Sequence, residues 1–321
     1  MKKEVRIGVV GVGHLGEYHV QKYRAMEGVG LVGVVDTDPD RAAEIAQRYD
    51  TRVYGSLEKI LGEVDAVSLA VPTENHFFVA EKILSRGVHL LIEKPITYNE
   101  SDAEKLIKMA RKKKLVFQVG HVERFNPAVM KMESLLTKPI FIESHRMNLF
   151  TVRGTDVDVV LDLMIHDLDI ILHMVQSEVR EVHGVGMSVI TQKTDIANVR
   201  IIFENGTVAN LTASRVSNQP LRKIRIFQPD AYISVNCYKK EVTVTRLDDS
   251  STTEPFPQIV SSKMKYPDAD PLFDQLNAFI HAVRTGTEPI VTGEDGRAAL
   301  RIALVIIDQV EKGCRDFQSI C

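Results

Sequence analysis

Ionisable side chains interrupt an apolar stretch near the middle of the chain. Asp162, His166, Asp169 and His173 recur at spacings of four, three and four between Val159 and His173. At helical periodicity these residues share one face. A buried carboxylate or imidazole without a partner costs about 1–3 kcal/mol or more, so the stripe needs partners: one another, a ligand or a metal. Two His and two Asp suit zinc, but on one straight helix they spread over about 16 Å, too far to converge on one ion. No metal is therefore expected. A network of satisfied core polar groups stays open beside an acid/base pair. When a hydride leaves an alcohol, a base must take the hydroxyl proton, and His titrates in the useful range. On that reading His166 is the base, and Asp162, one turn earlier, orients its ring or binds a neighbouring hydroxyl.

A second constellation lies at the N-terminus. Gly11-Val12-Gly13-His14-Leu15-Gly16 fits G-x-G-x-x-G, directly after an apolar strand-length run and at the opening of a helical pattern. The first glycine permits the tight turn, the second lets backbone approach a pyrophosphate, and the third lets helix and strand pack closely. The helix start then offers free N–H groups and partial positive charge to the anion. Asp36 lies 20 residues beyond Gly16, where a carboxylate accepts from ribose hydroxyls. It would also repel a 2′-phosphate, and Thr37 supplies no guanidinium, so NAD is favoured over NADP.

Two further turns follow strands and face the same crevice: Val71-Pro72-Thr73-Glu74-Asn75-His76 and Glu93-Lys94-Pro95. The cofactor candidates are thus Gly11, Gly13, His14, Leu15, Gly16, Asp36, Pro72, Thr73, His76, Glu93 and Lys94. Beside a bound cationic ring Lys94 loses its proton more readily, or it hydrogen-bonds a substrate oxygen while charged. Position alone leaves it equally readable as a solvated loop residue.

The elements that must position these groups change character along the chain. Apolar runs at 5–10, 31–35, 65–71, 88–92 and 115–119 alternate with helical patterns at 14–24, 39–49, 75–85 and 99–113, with Asn99 as N-cap. This rhythm predicts an α/β fold, a doubly wound parallel sheet covered on both faces. After Gly120 the pattern is α+β: a helix at 127–136, a strand at 140–148, one long helix at 158–175, and strands from 182 to about 246. Asn205-Gly206 predicts a type I′ hairpin. Residues 248–268 read as a loop, and helices follow at 271–284 and 293–312. The expected domains are 1–121, binding the dinucleotide, and 122–321, with a large, open, mostly antiparallel sheet.

Composition narrows the partners. The 321 residues carry 40 Lys plus Arg against 43 Asp plus Glu, a net charge of −3, which lacks the basic excess of a nucleic-acid binder. Arg111-Lys112-Lys113-Lys114 closes a predicted helix, where cations offset the dipole. With 44% hydrophobic residues the chain is globular, and its three cysteines are too few for a disulfide framework. The opening residues form no secretory signal and no apolar run reaches membrane-span length, so a cytoplasmic protein without membrane contact is expected.

Taken together, the glycine turn, the Pro72-to-His76 turn, Glu93-Lys94-Pro95 and Asp162-x-x-x-His166 resemble, in order, the glucose–fructose oxidoreductase/inositol dehydrogenase family. The tail resembles it too, through Asp270-Pro271-Leu272-Phe273, Ala278-Phe279, Gly286 and Gly293-Glu294-Asp295-Gly296-Arg297-Ala298. The resemblance implies a Rossmann domain, then an α/β domain whose open sheet joins subunits into a homodimer or homotetramer. It implies that Lys94, Asp162 and His166 line the nicotinamide end, with His166 or Lys94 moving the proton, and a cis peptide before Pro95. One departure is visible: members carry glycines before and inside the Asp-x-x-x-His helix, where this chain has none at 156–161 and bulky Leu163-Met164-Ile165.

A narrower likeness, carried by Gly13-His14-Leu15-Gly16, the run from Gly120 to Pro127 and that from Asp162 to Asp167, is to the branch that oxidises the 3-hydroxyl of a UDP-N-acetylhexosamine. A nucleotide sugar needs cations for its diphosphate, and Arg124, Arg146 and Arg153 are candidates because guanidinium binds phosphate in a bidentate way. His121 and Asn126 are candidates for sugar hydroxyls. The rival readings are an inositol or free-sugar dehydrogenase and a non-catalytic dinucleotide-sensing regulator on the same fold.

Overall fold

The computed structural model describes residues 4–151, 157–248 and 258–318. The chain divides into two compact units, 1–122 with 270–300 and 123–269 with 301–321.

In the first unit β1 (Val5–Val10), α1 (His14–Ala25), β2 (Val29–Val35), α2 (Pro39–Arg48), α3 (Leu57–Leu61), β3 (Ala66–Leu69), α4 (His76–Ser85), β4 (His89–Glu93), α5 (Glu100–Lys113) and β5 (Phe117–Gly120) alternate. The strands pair in parallel in the order β2-β1-β3-β4-β5. Every residue of β3 and β5 is buried, which is why these strands carry no polar alternation. Asp38 caps α2, with Pro39 in its first turn, and Asn99 caps α5 through the Asp102 N–H at 2.9 Å.

One helix joins this unit from the far end of the sequence. In α8 (Pro271–Thr285), Leu276, Phe279, Ile280 and Ala282 enter the core formed by Val5, Ile7, Val9, Val20 and Tyr23. Burying each of its large apolar side chains stabilises the unit by roughly 1.5–3 kcal/mol. The tail therefore divides between the units, where the rhythm of the sequence assigns it whole to the second.

The second unit contains α6 (Pro127–Glu133), β6 (Phe141–Met147), a π-helical turn (Val160–Met164) and α7 (Ile165–Val175). The strands β7 (Val179–Met187), β8 (Ile196–Phe203), β9 (Val208–Ser214), β10 (Leu221–Gln228), β11 (Ala231–Asn236), β12 (Glu241–Leu247) and β13 (Ile259–Lys265) follow. The last helix, α9 (Gly293–Gln318), supplies residues to both units. The eight-stranded sheet runs β13-β12-β11-β10-β6-β9-β8-β7, antiparallel except between β6 and β9. Burial alternates along its central strands, so one face is packed and the other stays partly open.

Three local expectations are corrected. Residues 158–175 are not one regular helix, because the π-helical turn interrupts it. The hairpin at Asn205-Gly206 is not type I′: Gly206 has a φ of +86° but Asn205 is not left-handed, and Phe203 N–H bonds Thr207 O across a three-residue loop. Within 248–268, β13 is a strand; it is exposed and owes its form to pairing with β12, leaving no hydrophobic alternation to read.

Candidate active site

In the first unit the candidate groups collect at the carboxyl ends of the strands. β1 runs into Gly11, β2 into Asp36, β3 into the 71–76 turn, β4 into Lys94 and β5 into His121. Strand order reverses between β1 and β3, the place where open sheets hold ligands.

The three motif glycines have separate reasons. Gly11 has a φ of +82°, and a Cβ there would lie 2.7 Å from the Ala70 carbonyl oxygen. At Gly16 a Cβ would fall 1.8 Å from the Gly11 carbonyl oxygen. A Cβ on Gly13 would meet nothing within 4 Å. Gly13 is exposed and forms the N-cap of α1, which has no side-chain cap. His14 and Leu15 are exposed on the first turn. The amides of that turn are thus offered to an anion.

Asp36 is held by the turn it serves, with Oδ2 accepting the Val12 N–H at 2.7 Å and Oδ1 the Asp38 N–H at 3.0 Å. An uncapped helix start, an open glycine and a fixed carboxylate fit the pyrophosphate and ribose of a dinucleotide.

The turns after β3 and β4 are tied together by His76. Its Nδ1 lies 2.8 Å from the Pro95 carbonyl oxygen and its Nε2 2.9 Å from that of Val71, and burial pushes its pKa down despite these carbonyls. His76 therefore braces the turns through backbone, beneath exposed Pro72 and half-buried Thr73. Glu93 is buried beside Lys94, with Oε1 3.3 Å from His19 Nε2, while His19 Nδ1 lies 2.7 Å from Ser68 Oγ. Burial alone would raise the Glu93 pKa, but His19 and the Lys94 charge hold it below the ordinary value. A Cβ on Gly120 would lie 2.6 Å from Glu93 Oε1, so that glycine makes room for the carboxylate. Lys94 is half-buried, and its peptide bond to Pro95 is cis.

In the second unit the π-helical turn carries Asp162, and His166 stands on the first turn of α7; both are half-buried. Such turns recur at functional sites. Asp158 Oδ1 accepts the Val160 N–H at 2.9 Å. Val159 N–H reaches Thr194 O at 3.1 Å, and the buried Arg215 donates to Val157 O at 2.6 Å. Asp195, beside Thr194, accepts N–H groups from Val189, Ile190 and Thr191 at 2.6–2.8 Å. The rest of the stripe has other partners: Asp169 pairs with Arg124 at 3.4 Å and His173 with Glu133 at 2.7 Å.

The substrate candidates near Asn126 are corrected by their surroundings. Arg146 is 2% exposed and donates to Asp167 at 2.6 Å and to Glu123 at 2.9 Å. Burial opposes its charge, but Asp167 and Glu123 raise its pKa well above the ordinary value. Arg124 is equally buried against Asp169. Asn126 bonds Glu123 and the Cys237 carbonyl with Nδ2, and its Oδ1 caps α6. These groups serve carboxylates and backbone inside the unit rather than a diphosphate or sugar. His121 is fully buried at the end of β5. Arg153 lies outside the described residues. Glu123, Asp167, His19 and Asp195 also shape these surroundings and are not among the sequence-predicted site residues; of the four only Asp167 stands in an apolar run that marks it. Among the described residues, no group of three or more His, Cys, Asp and Glu is placed to hold a metal ion, and no helix is long and apolar enough to cross a membrane.

Comparison with known proteins agrees with this fold. An oxidoreductase family with an NAD-binding Rossmann fold matches residues 5–121, and the GFO/IDH/MocA C-terminal domain matches residues 143–234. UDP-N-acetylglucosamine 3-dehydrogenase of Acidithiobacillus ferrooxidans is 39% identical over 308 residues, 96% of this chain and 97% of its own. The chain belongs to the Gfo/Idh/MocA family. A solved structure of that Acidithiobacillus enzyme superposes with a TM-score of 0.91 at 38% identity, covering 96% of this chain and 98% of the other. The scyllo-inositol dehydrogenase of Lactobacillus casei, solved with NAD(H) and scyllo-inositol, shares the fold at a TM-score of 0.82 and 20% identity, covering 97% of this chain and 98% of the other. As a Gfo/Idh/MocA protein the chain is an oxidoreductase with a Rossmann dinucleotide-binding fold.

Proposed function

We propose that this protein is an NAD-dependent dehydrogenase that oxidises the 3-hydroxyl of a UDP-N-acetylhexosamine. The observation that carries the substrate is the 39% identity, over nearly the whole of both chains, to an enzyme named for that reaction. The preference for NAD rests on Asp36, whose fixed carboxylate accepts from ribose hydroxyls and repels a 2′-phosphate.

NAD, when bound, supplies a hydride acceptor. The chain's part is to bind, orient and move a proton. The open Gly13 and the first turn of α1 hold the pyrophosphate, and Asp36 holds the ribose. His166 takes the hydroxyl proton, with Lys94 as the other proton-moving group, and Asp162 orients the imidazole or a neighbouring hydroxyl. The half-burial of Asp162 and His166 supports these roles, because a proton acceptor must be reachable as well as fixed. The partly open face of the eight-stranded sheet supports self-association into a homodimer or homotetramer.

The test is NAD reduction assayed against UDP-sugars, free hexoses and inositols. Turnover of UDP-N-acetylhexosamines is expected. Turnover confined to free polyols would replace this reading with an inositol or free-sugar dehydrogenase.

A further inference from the structure

The ribose carboxylate and a guanidinium are anchored to the same residue of the glycine turn. Val12 N–H donates to Asp36 Oδ2 at 2.7 Å, and Arg41 Nε donates to the Val12 carbonyl oxygen at 3.0 Å. Arg41 stands in the first turn of α2, where the amides of Asp40 and Arg41 already bond Asp38. A guanidinium at a helix start, next to the ribose acceptor, is the group that a 2′-phosphate would meet.

That guanidinium is already engaged. Its Nη2 donates to Glu17 Oε2 at 2.5 Å and its Nη1 to Glu44 Oε2 at 2.8 Å. Arg48 bonds the remaining oxygen of each glutamate, and Tyr49 donates to Glu17 Oε1 at 3.1 Å, so both carboxylates are held from more than one side. Glu17 lies on α1 itself, its N–H bonded to the Gly13 carbonyl oxygen at 3.0 Å. The element that offers amides to the pyrophosphate therefore also presents an acid to Arg41.

We propose that Glu17 and Glu44 are specificity residues that withhold Arg41 from a 2′-phosphate, so that NADP is refused by a second device besides Asp36. The inference rests on the reading that a dinucleotide binds at the glycine turn. The pairs are partly exposed, with side chains 26% accessible at Arg41, 20% at Glu17 and 48% at Glu44. Each is individually weak, and the two acids act jointly.

The experiment is calorimetric titration of NAD and NADP into the full chain, comparing Asp36→Ser with Asp36→Ser/Glu17→Gln/Glu44→Gln. The triple variant is expected to bind NADP about tenfold more tightly than Asp36→Ser. Adding Arg41→Gln should abolish the gain. Equal NADP affinity in the two backgrounds, or a gain that survives loss of Arg41, overturns the proposal. Glu17 also braces Arg48 and Tyr49, so Asp36→Ser/Glu44→Gln is titrated too. Glu44 is exposed, and a smaller gain, about threefold, is expected there; no gain overturns the proposal even if the triple variant fails to fold. Failure of the underlying reading is distinct, because the unmodified chain would then bind no NAD.

Discussion

Arg146 grips Asp167 at two points: Nε lies 3.1 Å from both carboxylate oxygens and Nη2 lies 2.6 Å from Oδ1. Asp167 is the residue after His166, so this pair ties the first turn of α7 to β6. Asp167→Ala leaves a buried guanidinium with Glu123 as its remaining close partner. Removing one member of a buried pair costs roughly 3–5 kcal/mol. The urea midpoint should fall accordingly, and turnover should fall in protein that remains folded. An unchanged midpoint would contradict a buried pair.

The motif glycines should separate folding from binding. Gly13→Val keeps a negative φ of −61° and enters open space, so the only cost is a poorer N-cap and stability should fall by no more than about 1 kcal/mol. Its side chain would occupy the approach of the pyrophosphate, and NAD affinity should drop at least about tenfold. Gly16→Ala meets the Gly11 carbonyl and should destabilise the chain by about 1–3 kcal/mol or more. Thermal melts and NAD titration check both variants. Equal effects from the two glycines would remove this distinction.

The proton acceptor is tested by chemistry. His166→Asn should lower kcat by about 10²–10⁴ while NAD affinity is retained. Full turnover in that variant would remove His166 from the mechanism.

Acid stability depends on Asp195. Burial works against its charge, yet the Thr191 amide and hydroxyl and the Ile190 and Val189 amides hold its pKa at about 2, against an ordinary 3.8. A carboxyl depressed by folding contributes stability that is present above the unfolded value and lost as pH falls through the folded one. The loss should therefore develop from about pH 4 down to about pH 2 and amount to about 2 kcal/mol. Asp195→Asn should be less stable at neutral pH and lack this component of the pH dependence. If its acid limb matches that of the unmodified chain, Asp195 is not responsible.

Legibility differed sharply between the units. In the first, Gly11, Gly13, Gly16 and Asp36 sit within one strand–turn–helix–strand segment, where spacing alone carries the geometry. Asn99 as a cap and the apolar strands were readable for the same reason: their causes are local. In the second, Arg146 and Asp167 lie 21 residues apart on different elements, and a buried guanidinium looks in sequence like one free to meet phosphate. The π-helical turn left no composition signal, since the run from Val160 to Met164 suits either kind of turn. β13 was hidden because its partner, not its own alternation, makes it a strand.

The placement of α8 has a consequence for how the chain matures. Phe279 and Ile280 complete a core whose other side begins at Val5, so the last pieces of the first unit leave the ribosome after more than two hundred and seventy residues have been made. The first 122 residues emerge with their sheet strands but without that cover, and domains otherwise tend to fold in order of synthesis. The second unit's hairpins, whose partners are close in sequence, can assemble in the interval. Long-range closure of this kind slows folding, leaving the nucleotide-binding half exposed to aggregation or to chaperones until α8 has been made.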